Sequence, residues 1–485
     1  MLSILVCHSY FLRLDQKQIA RAKPYPPLAT LQVVSLLREA GHRVSFFDAM
    51  LAEGIEEYDR LLKADAPQLV LFYEDNYNFL SKMCLATMRH AACDMIASAH
   101  RSGARVIAAG PDVSDAPGPY LRAGADLALA GEGLSTLLAV LPRIDADIHA
   151  DSDGLIRGLS GIACMSDGKV VKASGTTGLA LAQDAGLAAW DLVDMERYRG
   201  VWKKAHGYFS LNMAASRGCS FRCTWCSKPI WGNHYLQRNP LEVAAEVAHV
   251  KRAYKPDHVW FADDIFGFRV DWVQQFGDAV READAQVPFT IQTRADLISE
   301  KMARALWDAG CKEAWIGAES GSQKVLDSMN KGTTVQEILI ARDRLRSVGI
   351  RVGFFIQLGY IDEQIDDIIA TRDLLTAARP DEIGVSVSYP LPGTKFYDLV
   401  RAQLRAKTHW QESNDLDMMF QGTYTSDFYR TVRNLLHDQV SLQTARLPLP
   451  LEHERATDAI EKRWQELLRN ELKYRSSGQA SAAIA

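Results

Sequence analysis

Only eight of the 485 residues are cysteine, too few for a disulfide scaffold. No apolar stretch reaches the roughly 18 residues that a membrane-spanning helix needs; runs such as Leu69–Tyr73 are soon cut by charge. A basic surplus is missing too. Lys and Arg total 55 against 60 Asp and Glu, a net charge of −5, so the basic face typical of nucleic-acid binders is not expected. The N-terminal MLSILVCHSYFLRLD has no basic n-region and no small-residue cleavage site. It reads as a buried first strand rather than an export signal, and the expected compartment is the cytoplasm. With 47% hydrophobic and 24% charged residues, the chain is neither disordered nor collagen-like. At roughly 100–200 residues per domain, its length holds two to four domains.

Up to residue 140, strand and helix patterns alternate. Apolar runs of strand length lie at 2–7, 43–49, 67–73, 104–110 and 125–131, with helical periodicity over 28–42 and 82–101. Such alternation predicts an α/β domain with a doubly wound parallel sheet over 1–140. Ligands of these sheets sit beyond the carboxyl ends of the strands. Residues 141–207 read as an ordered linker with a small hairpin around Asp167-Gly168. A second alternation over 208–400 predicts strands at 208–216, 257–263, 288–293, 313–319, 350–359 and 382–389. Six β/α units in a row fit a (β/α)6 partial barrel, whose site lies on the loops at the carboxyl ends of its strands. Residues 401–485 read as a helical region with a frayed end.

The stretch SRGCSFRCTWCSKP carries the chemistry. Cys219, Cys223 and Cys226 form C-x3-C-x2-C, which lets three soft thiolates converge on an iron–sulfur cluster or a zinc ion. A closed zinc site needs a fourth ligand, and His234 is the next candidate. The triad follows the strand that opens the second β/α run, which favours a catalytic cluster with one iron open.

This stretch, with the aromatic Trp225 before the last cysteine, closely resembles the radical S-adenosylmethionine (SAM) superfamily. The resemblance implies a [4Fe-4S] cluster whose open iron chelates SAM and whose electron splits it to methionine and a 5′-deoxyadenosyl radical. Phe261-Ala262-Asp263-Asp264 stands where the family often has Gly-Gly-Glu. Asp263, with Asp264 close behind, is the expected partner of the SAM ammonium group through a charge-assisted bond; a helix N-cap is the plainer reading of Asp263. Arg294, in Gln292-Thr293-Arg294, meets either the SAM carboxylate or a structural acid. In the Gly317-Ala318-Glu319-Ser320-Gly321-Ser322 stretch the glycines suit close backbone approach and Glu319 suits ribose hydroxyls, with Gly317 and Ser320 beside it. Gln357 and Tyr389, ending the fifth and sixth strands, resemble the adenine side of the site, although Tyr389-Pro390-Leu391-Pro392-Gly393 also reads as a plain turn.

The first 140 residues resemble the cobalamin-binding domain that precedes the barrel in one radical SAM subfamily. The matching features are Pro26-Pro27-Leu28, Gly110-Pro111 and Gly131-Glu132-Gly133; Glu74 and Asn76 follow the third strand on the expected ligand face. The AAWDLVDMERY segment (188–198) matches the same subfamily. Its Asp-x-His-x-x-Gly cobalt-ligand motif is missing here: His8 lies outside it, and Asp147-Ile148-His149 lacks the glycine. Either the cobalt has no His ligand from below or the domain no longer binds cobalamin.

The resemblance implies an oxygen-sensitive enzyme acting on a small molecule, with a ferredoxin or flavodoxin as electron donor. Methyl transfer to an unactivated carbon of a metabolite, lipid or tetrapyrrole is the leading expectation, with ring closure of the magnesium-protoporphyrin monomethyl ester type second. Two further classes are weighed. Cys7, Cys84 and Cys93 suggest the second cluster of a methylthiotransferase, and a non-catalytic cluster or cobalamin sensor is the other. No residue is singled out as catalytic. Trp410, Tyr424, Phe428 and Tyr429 either close the barrel mouth or, as aromatics more often do, pack helices.

Overall fold

The computed structural model describes residues 1–77, 86–173, 187–226, 234–404, 416–444 and 450–476. Cys84, Trp410 and the first turn of the predicted helix 82–101 lie outside them. The chain forms two compact units, Met1–Cys219 with Lys228–Asp263 and Ser220–Ser227 with Asp264–Ala485.

In the first unit, β1 (Ser3–Cys7), β2 (Arg43–Phe47), β3 (Leu69–Tyr73), β4 (Arg105–Ala109) and β5 (Leu127–Leu129) pair in parallel. Side chains alternate across a strand, so one sheet serves two cores. Ile4, Val6, Leu69, Leu71 and Tyr73 pack with the helix Leu28–Glu39. Leu5, Cys7, Val70 and Phe72 pack against Phe47 and Tyr58 on the other face. Burial on both faces is why these strands read as unbroken apolar runs.

The predicted hairpin is present, as β6 (Ile162–Ser166) and β7 (Lys169–Lys172). Asp167 and Gly168 take left-handed φ of 48° and 73°, the backbone of a tight two-residue turn. The hairpin extends the sheet, giving the order β2-β1-β3-β4-β5-β6-β7. The segment after it is also core: Trp190, Tyr198 and Trp202 are buried among the sheet's residues, and Trp202 Nε1 donates to the Pro24 carbonyl, 2.7 Å away.

The predicted strand 208–216 is two strands. β8 (Ser210–Met213) stops, and β9 (Ser216–Gly218) pairs antiparallel with β10 (Tyr235–Gln237) instead. Asp263 accounts for the break. It follows β11 (His258–Phe261), the parallel neighbour of β8, and accepts the Ala215 N–H at 3.0 Å and the Ser216 hydroxyl at 2.5 Å. Arg238 secures the same corner by donating to the Ala214 carbonyl at 2.9 Å and pairing with Glu246 at 2.6 Å.

The second unit carries β12 (Phe289–Thr293), β13 (Cys311–Glu319), β14 (Arg351–Leu358) and β15 (Glu382–Val387), all parallel in that order. With β8 and β11 in the first unit, six parallel β/α strands follow one another, as predicted. The last part of the chain is helical, with helices Ser426–Thr444 and Pro450–Arg469. Tyr424, Phe428 and Tyr429 are fully buried, and the Tyr424 and Phe428 rings stack 4.1 Å apart, so these aromatics serve packing.

Gly321, just past β13, fixes how closely the helix Ile365–Ala378 approaches. A Cβ there would stand 2.1 Å from the Ala370 carbonyl oxygen, and that oxygen is backbone that cannot swing aside. Gly321→Ala is expected to destabilise the protein by at least about 1–3 kcal/mol, the usual range for overpacking, read as a lowered urea midpoint.

Candidate functional site

The cysteine loop leaves β9 through Gly218, whose φ of 71° is a conformation glycine adopts without steric cost. Cys219 is buried, Cys223 and Cys226 are half-buried, and none is in a disulfide. Within the second unit the loop is fastened by its backbone. The Thr224 N–H donates to the Met329 carbonyl at 2.9 Å, and the Phe396 N–H to the Thr224 carbonyl at 3.0 Å. Thr224 Oγ1 shares a 2.5 Å bond with the Tyr360 hydroxyl, and Asn330 Nδ2 donates to the Arg222 carbonyl at 2.9 Å.

Arg294 stands beside this loop. Its Nε and Nη2 donate to the two carboxylate oxygens of Asp296 at 2.9 and 3.0 Å, so of its two expected partners the structure contains the structural acid. Glu319 is buried at a φ of 61°, and Lys331 Nζ donates to it across 2.7 Å. Burial disfavours the charge on Lys331, but Glu319 and then Cys223 more than offset this, and its pKa lies above the ordinary lysine value. A Cβ on Gly317 would fall 2.6 Å from Lys331 Nζ, so this glycine makes room for the ion pair. Lys331 was not foreseen, because Met329-Asn330-Lys331-Gly332 reads as an ordinary turn.

Ser320 is tied to Thr371 at 3.1 Å and caps the Ser322 N–H at 3.1 Å. Gln357 donates to Ser388 at 2.9 Å, and Tyr389 is half-buried. Behind Gln357, Glu363 accepts the Gly359 N–H at 2.6 Å, and burial pushes its carboxyl up to about 8. Asp263 is no helix N-cap: the next helix starts at Val270 with Arg269 before it. Asp264 is half-buried.

In the first unit, a buried polar cluster forms past the carboxyl ends of β3 and β5. Arg217 forms an ion pair with Glu132, 85 residues away in sequence, and donates to the Tyr77 hydroxyl at 3.0 Å. Tyr73 donates to the Glu132 carbonyl at 2.8 Å, and Asn76 donates to the Tyr73 hydroxyl. Burial pushes the Glu132 carboxyl up, while the Arg217 guanidinium pulls it back. Glu132 Oε2 and Asn76 Oδ1 find no donor among the described residues.

Several expected ligand groups are used by the chain itself. Glu74 accepts the Ser9 N–H at 2.9 Å and its hydroxyl at 2.7 Å. The Gly110 Cβ position is 2.7 Å from the Glu74 side chain. Gly131 donates to Ser114 at 2.9 Å, and Gly133, with φ 72°, precedes the helix Leu134–Ala146. The Pro26 carbonyl accepts from Asn212 at 3.0 Å. His8 is 1% exposed, with Nε2 3.1 Å from Asp48 and 3.0 Å from the Ala49 N–H.

The donor set suits an iron–sulfur cluster: three cysteines outside any disulfide on one short loop, and between the last two a tryptophan whose buried indole N–H has no acceptor among the described residues. His234, the candidate fourth ligand of a zinc site, is exposed. Cys7 is packed in the core beside Phe47 and Tyr58, where burial pushes its thiol up, and Cys93 Sγ points to the Pro119 carbonyl at 3.8 Å. The unpartnered acceptors of Glu132 and Asn76 suit a ligand bearing amide donors, as a corrin does.

Comparison with known proteins identifies the domain that bears the cysteines. Residues 213–375 match the model of the Radical SAM superfamily. The chain carries a radical SAM domain. Relatives include an uncharacterized methyltransferase of Pyrococcus horikoshii, 23% identical over 401 residues, which are 81% of this chain and 82% of that protein. The anaerobic magnesium-protoporphyrin IX monomethyl ester cyclase of Rubrivivax gelatinosus is 23% identical over 274 residues, 55% of this chain. This chain spans only 47% of that cyclase. Among solved structures, the radical SAM methyltransferase TsrM of Kitasatospora setae, determined with cobalamin and a [4Fe-4S] cluster bound, superposes with a TM-score of 0.64 at 16% identity, covering 85% of this chain and 78% of TsrM. The radical SAM chain thus has the TsrM fold, a parallel sheet followed by a curled half-barrel. No described helix is long and apolar enough to cross a membrane.

The Arg217–Glu132 pair should behave as a buried ion pair. Removing one partner strands the other charge, so Arg217→Met is expected to lose roughly 3–5 kcal/mol. The double variant Arg217→Met/Glu132→Gln is expected to recover part of that loss. Urea midpoints of the two variants check this.

Proposed function

We propose that this radical SAM protein is a cobalamin-dependent methyltransferase that alkylates an unactivated carbon of a small metabolite, lipid or tetrapyrrole in the cytoplasm. The observation that carries the reading is the cysteine triad, outside any disulfide, on a loop held by its own backbone, in a chain with the TsrM fold. A [4Fe-4S] cluster held there would supply the electron that splits SAM, and cobalamin would supply a methyl carrier.

The chain's own residues have separable tasks. Cys219, Cys223 and Cys226 hold the cluster. Asp264 is the proposed acceptor for the SAM ammonium group, because Asp263 has both oxygens engaged at the end of β8. The Trp225 indole N–H, Gln357 and Tyr389 are offered to the nucleoside. Glu319 keeps Lys331 charged in a buried place, so the nucleoside side of the site is more structured than its glycines suggested. Asn76 and Glu132 would present acceptors to cobalamin. A ferredoxin or flavodoxin is the proposed electron donor, because the cluster needs low-potential electrons.

The cyclase relative supports ring closure as the second reading, and the products separate the two. Anaerobic incubation with SAM, a low-potential reductant, cobalamin and a panel of acceptors is expected to give 5′-deoxyadenosine and methionine from one SAM. A second SAM should give S-adenosylhomocysteine and a methylated product. Cys223→Ala is expected to lose iron and every product. Cleavage of SAM without any S-adenosylhomocysteine across the panel would favour cyclisation. No cleavage by iron-loaded protein would contradict both.

A further inference from the structure

Arg294 is over-determined for a side chain whose task is to hold one aspartate. It is 4% exposed. Besides the fork to Asp296, its Nη2 donates to the Lys331 carbonyl at 2.7 Å and to Thr333 Oγ1 at 3.0 Å. The guanidinium lies over the Phe221 ring, 3.7 Å from its centroid. Its remaining nitrogen, Nη1, points to Cys223 Sγ at 3.8 Å. Four partners therefore fix one N–H on the sulfur of one cysteine, and Phe221 belongs to the same loop.

We propose that Arg294 is a positioning residue that sets the reduction potential of the cluster through the Cys223 sulfur, with Asp296 moderating how much of its charge the cluster feels. The inference rests on Cys223 being a cluster ligand. Reduction adds one electron, taken from a low-potential donor that is itself oxidised. A hydrogen bond to a ligand sulfur and a nearby positive charge both stabilise the added negative charge, and hydrogen bonds and net charge are among the terms that set cluster potentials. Burial keeps this influence from being screened by salt. Arg294 is held in one place by these partners. Its planar fork also holds a direction that a lysine does not. Lys331 is a second cation near Cys223, but Glu319 neutralises it at 2.7 Å with both side chains buried, whereas Asp296 is 21% exposed and neutralises Arg294 less completely.

The test is a redox titration of the anaerobically loaded protein without SAM, following the electron paramagnetic resonance signal of the reduced cluster. Iron and sulfide are counted on every sample. In Arg294→Gln the ratio of reduced to oxidised cluster at a fixed solution potential is expected to fall about tenfold, which for one electron is about 59 mV. Arg294→Lys should fall less. Asp296→Asn should move the other way, because it leaves the guanidinium charge less opposed. A purely structural role for Arg294 does not produce opposite signs. Variants that bind wild-type amounts of iron and titrate together with wild type would overturn the proposal, as would a downward shift in Asp296→Asn. A wild-type protein that takes up no cluster would instead overturn the reading on which it rests.

Discussion

The constraint that governs the second unit is the need to keep positive charge buried beside the cysteine loop. Arg294 and Lys331 both lie within reach of Cys223, and each is held by a carboxylate of its own, Asp296 and Glu319. A buried ion without a partner costs several kcal/mol, so each cation brings an anion with it, and each pair then restricts the backbone around it. Gly317 lacks a side chain because the Lys331–Glu319 pair fills that space. Glu319 takes a left-handed φ to turn its carboxylate inward. The turn at 329–333 presents carbonyls to Arg294 and to Thr224.

The first unit solves a similar problem differently. Arg217, two residues before Cys219, is buried against Glu132 from the Gly131-Glu132-Gly133 turn and against the Tyr77 hydroxyl. The strand that leads to the cysteines is thereby fixed to the ligand face of the doubly wound sheet. In both units the cysteine segment is held by residues distant in sequence, through the Arg217–Glu132 pair in the first and through hydrogen bonds to the loop backbone and Thr224 in the second.

The architecture was legible where burial repeats at short range. Strands buried on both faces read as apolar runs, and the Asp167-Gly168 turn announces its hairpin. The cysteine triad was legible because its spacing is local. What escaped reading depends on partners far along the chain. The strand predicted over 208–216 breaks because Asp263, 48 residues beyond Ala215, takes its hydrogen bonds. Gly321, read as a place of close backbone approach, meets the backbone of a helix, and the Cβ position of Gly110 meets the Glu74 side chain. Glu74, Ser320 and Asp263 carry polar groups at strand ends, where ligands also bind, and a sequence cannot tell which of the two such a group serves. Lys331 had no local signal at all.

The decisive measurement is a count of iron, sulfide, cobalt and zinc on one anaerobic preparation supplied with cobalamin. A single cubane on the triad with a corrin on the first unit gives about four irons and four sulfides with one cobalt per chain and no zinc. Zinc in place of iron would contradict the cluster, and iron near twice that amount would show a second cluster. Iron without cobalt after reconstitution would remove cobalamin from the first unit and, with it, methyl transfer through cobalt.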